Sequence, residues 1–116
     1  RMSTAEIEHT VIGNEKISDA AAIAIPDSIT GEAIIVFFVA EKHQKTATPE
    51  EITSFISDKI GKLAKPKYVI EISDLPKTRT GKILRRVLKS KILGEPLGDI
   101  SSLENPQILD EIKKIV

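Results

Sequence analysis

Seven basic residues (Lys77, Arg79, Lys82, Arg85, Arg86, Lys89 and Lys91) lie between positions 77 and 91 with no acidic residue among them. The chain as a whole balances 17 Lys and Arg against 17 Asp and Glu, so this stretch is a local asymmetry in a neutral molecule. Within it, Thr80-Gly81-Lys82 precedes Ile83, Leu84, Val87, Leu88 and Ile92, which fall on one helical stripe. The spacing predicts a helix that starts at Gly81–Lys82. A helix start carries partial positive charge and unpaired N–H groups, so a cation there opposes the macrodipole. An anion resolves the conflict: amides and an ammonium together favour a phosphate or a carboxylate. The phosphate loop GxxxxGK[ST] is excluded, because Pro76 stands where its first glycine belongs and Ile83 where Ser or Thr would meet magnesium. Lys89 and Lys91 read as a solvated face whose alkyl stems cover the core, and Arg85 and Arg86 stay open between that role and binding.

Other chemistry is sparse. No cysteine is present, which excludes a disulfide framework, a thiol nucleophile and a thiolate metal site. His9 and His43 have no Ser or carboxylate constellation to join and are assigned to solvent. The longest apolar run, Ala33 to Ala40, is too short to cross a bilayer, and the N-terminus has no signal-peptide core, so no membrane partner is expected and the cytoplasm is the default. The basic stretch could serve nucleic acid. Zero net charge and only 3% aromatic residues count against it, and no nucleic-acid partner is expected.

A length of 116 residues with 41% hydrophobic and 29% charged positions fits one soluble domain. Ser3 to Glu6 reads as a capping box before a helix carrying Ile7 and Val11, ended by Gly13-Asn14. Ala20 to Ile25 and Ala33 to Val39 read as strands around a turn at Asp27 to Gly31, an antiparallel hairpin whose second strand is buried on both faces. Thr48-Pro49-Glu50-Glu51 starts an amphipathic helix with Ile52, Phe55, Ile56 and Ile60, ending near Gly61. Pro66 to Ile72 reads as a third strand and Asp74 to Gly81 as a loop. Asn105-Pro106 begins a last helix carrying Ile108, Leu109, Ile112 and Ile115. The expected architecture is a small α+β domain: a roughly three-stranded sheet, hairpin included, flanked by helices.

Leu75-Pro76-Lys77-Thr78-Arg79-Thr80-Gly81-Lys82-Ile83-Leu84-Arg85-Arg86 resembles, nearly residue for residue, the LPKTRSGKIMRR motif of the adenylate-forming acyl-CoA synthetases. Arg1 to Glu8 is similar to the segment just after that family's hinge, GHR-x-S-T-x-E-I-E. Leu97 to Leu103 with Asn105-Pro106 resembles the LGDxSTLxxP tail of its acetyl- and propionyl-CoA synthetases.

The resemblance implies that residues 1–116 are the mobile C-terminal lid of an AMP-forming acetate–CoA ligase, with the hinge just upstream of Arg1 and residues 94–116 as the tail. Propionate or another short acyl group is the alternative substrate. The substrates and cofactors so implied are ATP, Mg2+, acetate and coenzyme A, and the main partner is the N-terminal domain of the same enzyme. Lys82 aligns with the family lysine that enters the site for adenylation, and it is also implied as an acetylation target of a protein acetyltransferase and deacetylase. Arg1 aligns with an arginine that contacts the nucleotide phosphate. The family arginine for the CoA 3′-phosphate falls on Ser57, so Lys59 or Lys62 would supply that charge. A family magnesium site maps to Ile12, Asn14 and Ile17, with Asn14 in place of a histidine.

Overall fold

The computed structural model describes residues 3–42 and 47–115. The order of elements is α1 (Thr4–Ile12), β1 (Ile17–Asp27), β2 (Gly31–Ala40), α2 (Pro49–Ile60), a 3-10 turn (Lys62–Ala64), β3 (Tyr68–Glu71), α3 (Arg85–Leu93) and a 3-10 helix (Pro106–Glu111). Both expected caps form: Glu6 N donates to Ser3 Oγ, and Glu51 N donates to Thr48 Oγ1 ahead of Pro49.

β1 and β2 pair antiparallel from Ile17↔Ala40 to Asp27↔Gly31, with a register irregularity between Ile17 and Asp19. β3 then pairs parallel to β2, Ile35 opposite Tyr68, after the crossover through α2. The sheet order is β1-β2-β3, so β1 is an edge strand. Alternation along the strands divides the core between the two faces. Ala21, Ile23, Ile25, Ile35 and Phe37 face α3 and the tail, with Val87, Leu88, Ile92, Leu109 and Ile112. Ala20, Ala22, Val36 and Phe38 face α1 and α2, with Ile7, Val11, Ile52 and Ile56. β2 is therefore covered on both sides, which is why it reads as a near-continuous apolar run.

Two expectations are corrected. The Lys82 segment does not begin a helix there: α3 begins at Arg85, with Leu84 as an uncapped flanking residue. The expected last helix is a six-residue 3-10 turn that leaves Ile115 about a third exposed. Asn105 makes no side-chain cap for it because its amide is used elsewhere, as described below.

At the β1–β2 turn, Asp27 accepts from Thr30 N (2.9 Å) and Thr30 Oγ1 (2.8 Å), and Lys67 Nζ reaches it from β3's approach (3.0 Å). The Thr30 amide and hydroxyl, then Lys67, hold the Asp27 carboxyl well below the usual range. A carboxyl depressed in the fold adds stability above its unfolded value, and that stability is lost as pH falls towards the folded one. Asp27→Asn should therefore flatten the loss of thermal stability between about pH 5 and pH 2, measured as melting temperature against pH beside the wild type. Parallel curves would remove Asp27 from the acid response.

Candidate functional site

Lys82 lies on a hairpin, and its backbone is fixed on both sides. Lys77 and Ile83 form an antiparallel bridge. Thr78 N donates to Lys82 O and Gly81 N to Thr78 O, each at 2.9 Å, while Lys82 N donates to Thr78 Oγ1 at 3.2 Å. Gly81 takes φ +92°, a value that L side chains avoid, so glycine is needed to close this turn. Leu84 N, which an N-terminal helical residue would leave free, donates to Pro76 O. The conflict with the helix dipole thus does not arise at Lys82. Its side chain is exposed and makes no ion pair among the described residues.

Gly81→Ala should cost about 1–2 kcal/mol of local strain, although no atom stands within 4 Å of the added Cβ. The strain sits one residue from Lys82, and a lower melting temperature of the variant beside the wild type is the expected result. An unchanged melting temperature would show that the turn tolerates a side chain.

The hairpin is tied to the sheet by ion pairs. Lys77 Nζ lies 2.7 Å from Asp19 on β1 and 3.7 Å from Asp74. The Asp19 hydrogen bond raises the Lys77 ammonium above its ordinary value and so keeps it charged. The dipole misfit moves to Arg85 and Arg86 in the first turn of α3, and both are satisfied internally. Arg85 grips the Glu8 carboxylate through Nε (2.7 Å) and Nη2 (2.6 Å), and the same carboxylate accepts from Ala22 N (2.9 Å). Arg86 donates to Leu97 O (2.7 Å) and Asp99 O (2.5 Å). The sequence left these two arginines open between a solvated face and binding; in the structure both guanidiniums are engaged within the fold.

The other expected site residues lie apart from Lys82 along the fold. Lys59 and Lys62 are exposed at the end of α2 and in the 3-10 turn, with Lys59 Nζ 5.7 Å from the Phe55 ring centroid. Ser57, two positions before Lys59 on the same helix, is half-buried. His9 is exposed, as expected. Arg1 and His43 lie outside the described residues.

Of the residues expected at a magnesium site, Asn14 has its Oδ1 accepting from Lys16 N (2.9 Å), and none of Ile12, Asn14 and Ile17 offers a carboxylate. No cluster of three His, Cys, Asp or Glu suited to a metal occurs among the described residues.

Glu8, Asp19 and Asn105 were not expected as site-building residues. Glu8 left one signal: it follows Ile7 and precedes Val11 by three, which places a carboxylate beside the apolar stripe of α1.

Fold and site together define a small α+β domain whose hairpin turn presents Lys82, exposed and without an ion pair among the described residues. The chain belongs to the AMP-binding enzyme C-terminal domain family, which it matches over residues 6–82. The acetyl-coenzyme A synthetase of Methanothrix soehngenii is 41% identical over 119 residues, taking in 100% of this chain and 18% of that protein. That of Cupriavidus taiwanensis is 43% identical over 122 residues, covering 98% of this chain and 18% of the relative. Among solved structures, the Mycobacterium tuberculosis fatty acyl CoA synthetase superposes with a TM-score of 0.66 at 32% identity, over 75% of this chain and 17% of that one. The Brucella canis acyl-CoA synthetase gives 0.67 at 25%, over 76% and 17%. The expected α+β fold and the likeness to acetyl-CoA synthetases are both borne out. The chain spans less than a fifth of the length of the curated relatives it matches.

Proposed function

We propose that this chain is the C-terminal domain of an AMP-forming acetate–CoA ligase and that Lys82 supplies the cation for acetyl-adenylate formation. Acetate attacks the α-phosphorus of ATP, a carboxylate-oxygen-to-phosphorus bond forms, and pyrophosphate leaves. Negative charge is shared between the carboxylate and the phosphate throughout. An ammonium placed at that junction stabilises the transition state more than the separated reactants, which is the condition for catalysis. One observation carries the reading: the Lys82 backbone is pinned on both sides while its side chain is exposed and without an ionic partner among the described residues.

The lysine stem is flexible and its head compact, so rotation of the domain about a hinge upstream of Arg1 can insert and withdraw it. Thioester formation would follow in the second orientation. Arg1 would then contact the nucleotide phosphate, and Lys59 or Lys62 the 3′-phosphate of CoA. ATP and CoA are substrates in this scheme, magnesium accompanies ATP, and no step depends on a metal held by this domain. A cytoplasmic enzyme of acetate metabolism is the setting. Propionate as the substrate is the alternative, because the acyl pocket would lie in the N-terminal domain.

An exposed Lys82 is also open to acetylation, which removes its charge and would silence adenylation. The test is a pair of half-reaction assays on the full-length enzyme with Lys82→Ala. Equal adenylation with and without the lysine overturns the role.

A further inference from the structure

The hairpin that carries Lys82 is not left to itself. A two-stranded hairpin alone is marginal in water, and the strand Lys77–Thr78 has a second partner on its other side. Thr78 forms an antiparallel bridge with Leu103, and Glu104 N donates to Lys77 O at 2.8 Å. Asn105 completes the join. Its Oδ1 accepts from Lys77 N (3.0 Å), and its Nδ2 donates to Leu75 O (2.7 Å) and to Asp74 Oδ2 (3.2 Å). Leu103 is buried, and Arg86 pins the preceding stretch at Leu97 O and Asp99 O. The segment Leu103–Asn105 is thus a third strand for the hairpin, supplied by a tail that lies beyond the family match at residues 6–82.

We infer that the tail is a positioning device for Lys82, with Asn105 as its principal residue. One planar amide satisfies a donor and two acceptors on Asp74, Leu75 and Lys77, and so fixes the start of the hairpin against the body of the domain. Reactions held to near-attack geometry lose rate steeply with small misplacement, and the tail joins the Lys77 ion pairs in holding the arm against it. The inference rests on the catalytic reading of Lys82 given above.

The test uses the full-length enzyme with Asn105→Ala, Asn105→Asp and, as reference, Lys82→Ala. Acetate-dependent ATP–pyrophosphate exchange reads adenylation, and CoA-dependent consumption of added acetyl-adenylate reads the second step. Asn105→Ala should lower the kcat of adenylation about tenfold with little change in KM for ATP, and leave the second step as in the wild type. Asn105→Asp keeps the acceptor for Lys77 N but replaces both donated bonds with a carboxylate facing Leu75 O and Asp74, so it should show the same split at a size at least equal to that of Asn105→Ala. It carries the test should Asn105→Ala fail to fold. Full adenylation in the Asn105 variant when Lys82→Ala is impaired overturns the positioning role and leaves the role of Lys82 standing. An equal fall in both steps overturns it too, since it marks general destabilisation. Full adenylation in Lys82→Ala overturns the parent reading, and this one with it.

Discussion

Lys82→Ala in the full-length enzyme is expected to lower acetyl-adenylate formation by about a hundredfold or more, while thioester formation from added acetyl-adenylate stays within about twofold of the wild type. The size follows from where the charge would act. A cation in water gains little from a phosphate, but at an effective dielectric constant near 20 a contact at about 4 Å is worth about 4 kcal/mol before losses elsewhere. In the proposed scheme, closing the domain over the nucleotide would exclude water and move the ammonium towards that regime. Lys82→Arg should recover little, because a planar fork on a turn that fixes residue 82 cannot place its charge where a single ammonium stood. Lys82→Gln should match the enzyme acetylated at Lys82, since both lack the charge. Loss of both half-reactions together would refer the defect to folding; loss of neither would end the assignment.

Much of this domain was legible because its signals are local. The caps at Ser3 and Thr48, the alternation in β1 and the apolar run of β2 each follow from residues adjacent in sequence. Lys82 was also legible, first as a cation in an odd place and then through its motif. Its setting was not. Ile83, Leu84, Val87 and Leu88 keep a helical period, yet Lys77, Thr78 and Pro76 take the backbone groups of residues 82–84 into a hairpin. Tertiary pairing overrides periodicity there, and no window of neighbouring residues contains that information. The same holds for Asn105, which resembles a helix cap in sequence and is drawn off by backbone groups about thirty positions earlier. Arg85 and Arg86 looked alike on paper. Only the fold separates a bidentate partner of Glu8 from a clamp on the tail carbonyls.

Arg85→Ala should destabilise the domain by about 2 kcal/mol, lowering its melting temperature by about 8 °C. The Glu8 side chain is 11% exposed and that of Arg85 46%, so water reaches one end of the pair only. Loss of one partner from a fully buried pair costs about 3–5 kcal/mol, and the open side of Arg85 brings the figure down. What remains is a nearly enclosed carboxylate held by Ala22 N alone. Glu8→Gln should be milder, about 1 kcal/mol, because an amide oxygen still accepts from Ala22 N and no charge is stranded.

The double variant decides the cause. If the cost of Arg85→Ala comes from an unpaired carboxylate, removing that charge first should recover about 1 kcal/mol relative to the sum of the single effects. Strict additivity would mean that Arg85 acts through the packing of its stem instead. The pair has a reason beyond its own energy. Ala22 lies on β1, an edge strand, and the Glu8 carboxylate occupies an N–H that would otherwise face outward there. The guanidinium that holds the carboxylate in place belongs to the first residue of α3, three positions after Lys82. Sealing the sheet edge and fixing the point where the lysine hairpin rejoins the domain are therefore the work of one ion pair, and Arg85→Ala should slow adenylation as well as lower the melting temperature.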